Sequence, residues 1–293
     1  SINGNAKFRN AFAPLLPGCY HIPGPYLYRN PFGAETAEEL AKLSAAMLER
    51  EIAFQGANTV AACIMEPVLG AGGVLPPHPS FMPMVRDICD KYGVLLIADE
   101  VITGFGRTGS STGSRHWGVQ PDLMCTAKAI TNGYFPFGAV MISDRVVSVF
   151  EDDESGVGSV DMGYTYSGHP VGAAAAVACM NETMRIKPWE NAALLGPLLK
   201  TGLQELATRY DVIGDVRGEG LMCAMELVSD RASKTPVGKA VPLDFQKAAY
   251  EDGVMVRVSA NNVIMSPPLT LESGHVQKIL SALETGLKAI SAG

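Results

Sequence analysis

The chain has 293 residues, 47% hydrophobic and 18% charged, which is enough apolar material for a large core and too little charge for extended disorder. A formal net charge of −7 argues against nucleic acid or an anionic membrane as the main partner. Six scattered cysteines without a C-x-x-C pair read as reduced core residues of a cytoplasmic protein, and the dispersed histidines give no zinc pattern, so no metal is expected.

The Ala-rich run 171–178 is too short to span a membrane, and "SINGNAKFRN" has neither the charged nor the apolar region of a signal peptide. The first residue is not Met, which leads us to expect a start inside a longer protein.

Residues 1–35 are rich in Pro, Gly and aromatics and read as irregular. Thr36 and Glu39 have the spacing of a capping box and open a helix running to about Phe54. "NTVAACIMEP" reads as a buried strand ending at Glu66. "SFMPMVRDICDKYG" follows as a helix, with Ser80 as cap and Gly93 as stop. "VLLIADE", "DLMCTAK" and "FGAVMIS" read as further strands. Short apolar strands alternating with helices predict an α/β fold with a mostly parallel sheet covered on both faces. From about Pro188 the pattern changes to helix 190–209, strand 221–228, helix 242–252, hairpin 254–267 and helix 272–290. The expected division is therefore a partial large domain over 1–187 and a smaller α+β domain over 188–293.

Gly104, Gly106 and Gly109 have the G-x-G-x-x-G spacing of a dinucleotide loop. That loop must lead into a helix holding the pyrophosphate, and "SSTGSRHWGVQPD" has no helical periodicity. Asp122, after Pro121 and before a strand, is poorly placed to bind a ribose. "GSSTG" (109–113) matches a nucleophile elbow by chance, because no strand precedes it and no helix follows.

The carboxylates before these glycines carry more chemistry. Asp99 and Glu100 end one apolar strand and Glu66 ends another, and ligands of open α/β sheets bind beyond such strand ends. The bland reading is a solvated loop start or a capping salt bridge. Against it, a carboxylate emerging from "VLLIA" is costly to desolvate unless a cation meets it. Lys128 ends "DLMCTA" and precedes Ala, Ile and a glycine turn, whereas Lys42, Lys91 and Lys200 lie on polar helix faces or ends. A lysine so placed can act as a nucleophile or Schiff-base former, or it can simply snorkel from a strand edge.

Taken in order, "MEPVLGAGGV", "LLIADEVITGFGRTG", "TAKAITNGYFPFGAV" and "GYTYSGHPVGAAAA" resemble the class III aminotransferases, of fold type I among pyridoxal-phosphate enzymes. The separation of Asp99 and Lys128, 29 positions (128 − 99), agrees with that family, and the likeness runs on through "GVMVR" and "MSPPL". The resemblance implies pyridoxal 5'-phosphate as cofactor, joined to Lys128 as a Schiff base. Asp99 would then hold the pyridine nitrogen protonated, Val101 would pack on the ring, and Glu66 would support Asp99. It assigns Tyr164 and Thr165 to phosphate binding for the neighbouring subunit of a homodimer with shared active sites, and Arg257 to a substrate carboxylate. For Val101, Thr165 and Arg257 the competing readings are core packing, a loop or cap residue, and a surface arginine.

Ile102 replaces the Gln of a D-E-V-Q motif and Ala71 the Glu of a G-E-x-G motif found in the ornithine and 4-aminobutyrate branches. Both departures point to the omega-transaminase branch, which moves an amino group from an amine or omega-amino acid to a keto acid, with pyruvate expected. The family's upstream Gly-Ser phosphate loop and stacking aromatic have no counterpart here, so the N-terminal part of the fold is expected to be absent from this chain. The alternatives are a decarboxylase or aminomutase on the same scaffold, a catalytically inactive fragment and, more distantly, a nicotinamide dehydrogenase.

Overall fold

The computed structural model describes residues 1–152, 156 and 158–291, in two compact units. One unit comprises Ser1–Ala61 and Pro77–Val94, and the other Ala62–Pro76 and Leu95–Gly293. Among the described residues no helix is long and apolar enough to cross a membrane.

In the first unit, residues 1–35 hold a short helix α1 (Ala6–Arg9) and single turns of 3-10 helix. Helix α2 (Ala37–Gln55) starts on the expected Thr36 cap: Thr36 Oγ1 accepts the Glu39 N–H at 3.1 Å, while Glu39 Oε2 accepts the N–H of Glu35, one residue before the cap, at 2.9 Å. Leu40, Ser44, Leu48 and Ile52 bury one stripe of it. Helix α3 (Phe81–Tyr92) packs on α2 and ends on left-handed Gly93. Ser80 stands at its N-cap but makes no capping bond, because its hydroxyl meets His78 Nδ1 at 2.8 Å instead.

The second unit contains both sheets. In the first, β1 (Ala62–Met65), β2 (Leu95–Asp99) and β3 (Leu123–Thr126) run parallel, and β4 (Ala139–Ile142) pairs antiparallel with β3. A parallel β4 would need a crossover, and the β3–β4 connection contains only the 3-10 turn Lys128–Ile130. Asp122, buried before β3, accepts the Leu96 N–H at 2.7 Å and the Arg145 guanidinium at 3.1 Å, so it ties strands together instead of addressing a ribose. The outer strands β1 and β4 leave Ile64, Val140, Met141 and Ile142 exposed. Three helices complete this part: α4 (Gly113–His116), α5 (Asp144–Glu151) and α6 (Pro170–Ile186).

The second sheet runs in the order β5 (Ile213–Glu219), β6 (Met222–Asp230), β9 (Asn262–Met265) and β8 (Arg257–Ser259), with β7 (Thr235–Pro236) paired to β6. All these pairings are antiparallel. Helices α7 (Pro188–Arg209), α8 (Val241–Glu251) and α9 (Ser273–Ser291) join it in one core that includes Leu199, Leu203, Met225, Phe245, Val263 and Leu283. Every residue from Met222 to Val228 is buried, which explains the mostly apolar run read as a strand, Glu226 within it being paired with Arg217. The seven-residue β5 was not anticipated, because its glycines and charges hide the alternation of a strand.

Candidate active site

Three of the expected site residues converge at the carboxyl ends of the parallel strands. Glu66 follows β1, Asp99 ends β2, and Lys128 lies just past β3, whose Cys125 is in register with Asp99. Asp99 and Lys128 both act electrostatically on Glu66. Burial pushes the Glu66 carboxyl above its usual range, Asp99 adds to the rise, and the Gly70 N–H at 2.9 Å and the Lys128 charge oppose it. Asp99 is half-buried and accepts the Val101 N–H at 3.1 Å, which fixes the direction of its side chain. Burial and Asp99 together raise the Cys125 thiol.

Lys128 is exposed rather than enclosed, and its backbone is left-handed at φ +46°. An L-residue other than Asn or Asp seldom adopts that conformation, so the turn holds the amine at some backbone cost. Lys128, Val101 and Arg257 line one cleft of about 1110 Å³, with Ile102, Met222 and Met265 among its apolar walls. Arg257 lies in β8 opposite Ile264, and its side chain is exposed to this cleft. Tyr164 and Thr165 are exposed in a turn before α6 and do not line the cleft.

Glu100 separates from Asp99 in role. Fully buried, it accepts the Thr103 hydroxyl at 2.5 Å and the N–H groups of Gly113 and Ser114 at 2.8 and 2.6 Å. It thereby anchors the glycine turn and the start of α4, a four-residue helix that the sequence reading omitted after Gly109. The glycines allow close backbone approach. A Cβ at Gly104 would lie 2.8 Å from the Glu100 carbonyl, and one at Gly106 (φ +112°) would lie 3.1 Å from the Trp189 nitrogen in α7.

Sequence reading also missed two arginines. Arg107, inside the glycine turn, lines the cleft and donates from Nη1 to the carbonyls of Leu221 at 2.9 Å and Pro267 at 2.5 Å. Burial lowers its pKa to about 10. Arg217, in β5, is buried and donates from Nε to the carbonyls of Gly73 and Val74 at 2.9 and 3.1 Å. Only its place in a short charged stretch, "GDVRGEG", could have drawn attention to it.

Lys128 and Arg257 thus line one cleft, with Glu66 and Asp99 at the neighbouring strand ends. The class III aminotransferase family matches residues 1–287, and the chain belongs to that family. An amine transaminase from an uncultivated Pseudomonas species, solved in its PLP-bound form, superposes with a TM-score of 0.95 at 43% identity, covering 98% of this chain and 65% of that one. The putrescine–pyruvate aminotransferase of Pseudomonas aeruginosa is 37% identical over 91% of this chain and 58% of its own length. The diaminobutyrate–2-oxoglutarate transaminase of Halomonas elongata is 36% identical over 99% of this chain and 63% of its own. The chain thus spans about 60% of the length of such curated relatives.

Proposed function

We propose that this chain carries the lysine-bearing half of a transaminase that moves an amino group from an amine or omega-amino acid to a keto acid, with pyruvate as the acceptor. The observation that carries this reading is the meeting of Glu66, Asp99 and Lys128 at neighbouring strand ends, with Lys128 lining one cleft together with Val101 and Arg257. The set suits pyridoxal phosphate: an amine for the aldehyde, a half-buried acid for the pyridine nitrogen and an apolar side chain for the ring face. When bound, that cofactor supplies an electron sink for negative charge at the substrate carbon. Asp99 would keep the pyridine nitrogen protonated, and Glu66, acting on Asp99 through its charge, would support it. Lys128 Nζ would hold the cofactor's aldehyde and, when free, could carry a proton to and from the substrate carbon. Arg257 receives the carboxylate in its planar fork.

Two features favour pyruvate. Ala71 replaces the Glu of the motif whose acid, by the resemblance, would neutralise Arg257, and the Pseudomonas aeruginosa relative is named for pyruvate, as the Halomonas elongata one is for 2-oxoglutarate. Tyr164 and Thr165, exposed and away from this cleft, are free to serve the phosphate in a neighbouring subunit. The apolar side chains exposed around them, Val160, Met162, Tyr166, Val171, Val177 and Met180, favour a homodimer.

The full-length protein loaded with pyridoxal phosphate is expected to form alanine from pyruvate across a panel of amines, and Lys128→Ala to reduce turnover by at least about 10²-fold. Absence of alanine from every donor would falsify the acceptor assignment.

A further inference from the structure

A single buried guanidinium connects two walls of the cleft. On one side, the Gly70–Val74 loop starts at Gly70, whose N–H is held by Glu66, and turns back through bonds from the Gly73 and Val74 N–H groups to the Gly70 carbonyl at 3.1 and 3.0 Å. Its Gly73 and Val74 carbonyls both accept from Arg217 Nε. On the other side, Arg217 Nη2 donates to Asn262 Oδ1, in the residue pair Ser259–Asn262 that closes the β8–β9 hairpin. Arg257 stands two positions before Ser259 on the same hairpin.

Two carboxylates hold the guanidinium in place. Nη1 meets Asp215 at 2.7 Å and Glu226 at 3.3 Å, and Glu226 in turn accepts from Asn261 Nδ2 at 3.0 Å, again in the hairpin turn. The join is close: a Cβ at Gly73, where φ is +125°, would lie 2.9 Å from Arg217 Nη2 and 3.1 Å from the Asn262 amide. A bare apolar contact would let loop and hairpin slide, whereas a planar donor set shared between them fixes both distance and angle.

We infer that Arg217 is a positioning residue that sets the reach of Arg257 over the cleft by tying its hairpin to the loop that Glu66 anchors. It is not among the residues that line the cleft. The specificity half of this inference rests on the carboxylate role proposed for Arg257, and the bridging half does not.

The test uses Arg217→Lys and Asn262→Ala in the loaded full-length protein. For Arg217→Lys, KM for the keto acid should rise roughly tenfold, about the loss of one hydrogen bond to a charged group. KM for an amine donor lacking a carboxylate should move less than twofold. Hydrogen exchange on the unloaded protein should show loop 70–75 and hairpin 257–265 losing protection together in Arg217→Lys. In Asn262→Ala the hairpin alone should lose it. Equal KM changes for both substrates, or loop and hairpin protection unchanged in Arg217→Lys, overturns the inference. A wild-type protein without transamination defeats the functional proposal, and the exchange data then decide the bridge by themselves.

Discussion

At the scale of single residues, Glu66 shows how the site constrains stability. Its carboxyl binds a proton more tightly in the folded chain than at the ordinary value of 4.5, because burial and Asp99 disfavour its charge. The folded state therefore holds more protons than the unfolded one between 4.5 and the raised value, and stability falls as pH climbs through that window. Glu66→Gln keeps an oxygen to accept the Gly70 N–H and removes the charge. Urea unfolding of the unloaded variant should show stability equal to or above wild type at neutral pH, with a flatter profile across that window. Glu100 behaves differently although it is its neighbour's chemical twin in sequence. Its carboxylate takes the Thr103 hydroxyl and the Gly113 and Ser114 N–H groups, so it serves shape, whereas Asp99 is half-buried and acts on Glu66. Nothing in "ADEV" separates the two acids. What separates them is place: Asp99 is the last residue of β2, and Glu100, just past it, is buried in the packed turn.

At the scale of elements, the packing of α7 against the β5–β6 turn is a steric match of glycines. A Cβ on Gly196 would overlap the backbone of Gly220, itself at φ +54°, and backbone cannot yield as a flexible side chain does. Gly196→Ala should cost about 2–4 kcal/mol in thermal or urea unfolding, despite the better helix propensity of alanine. Gly238→Ala, whose Cβ would meet nothing within 4 Å, should be nearly neutral in the same assay. These elements differ in how legible they were. Helices α2 and α3 were readable because their ends carry local signals: a Thr36–Glu39 cap and a left-handed glycine. The direction of β4 was not, since hydrophobic pattern marks a strand but says nothing of its partner's polarity. Arg107 and Arg217 were equally hidden, because their partners are carbonyls distant in sequence.

At the scale of the whole molecule, the order of motifs made the family and the pair Asp99–Lys128 visible, since each lies within a few residues of a strand end. The homodimer we propose is a property of surfaces, which local pattern cannot display. Light scattering of the full-length protein should give twice the mass of one chain, and Val177→Asp combined with Met180→Asp should shift it toward the single-chain mass.

The four-stranded sheet has one more consequence. Among the described residues its outer strands, β1 and β4, each pair with one neighbouring strand, and Ile64, Val140, Met141 and Ile142 beside them are exposed. Such borders recruit further strands wherever they meet them, whether from the rest of the same polypeptide or from a stray copy. Handled in isolation and at high concentration, this stretch of chain will therefore tend to stack into insoluble ribbons, and its shelf life will depend on what caps those borders.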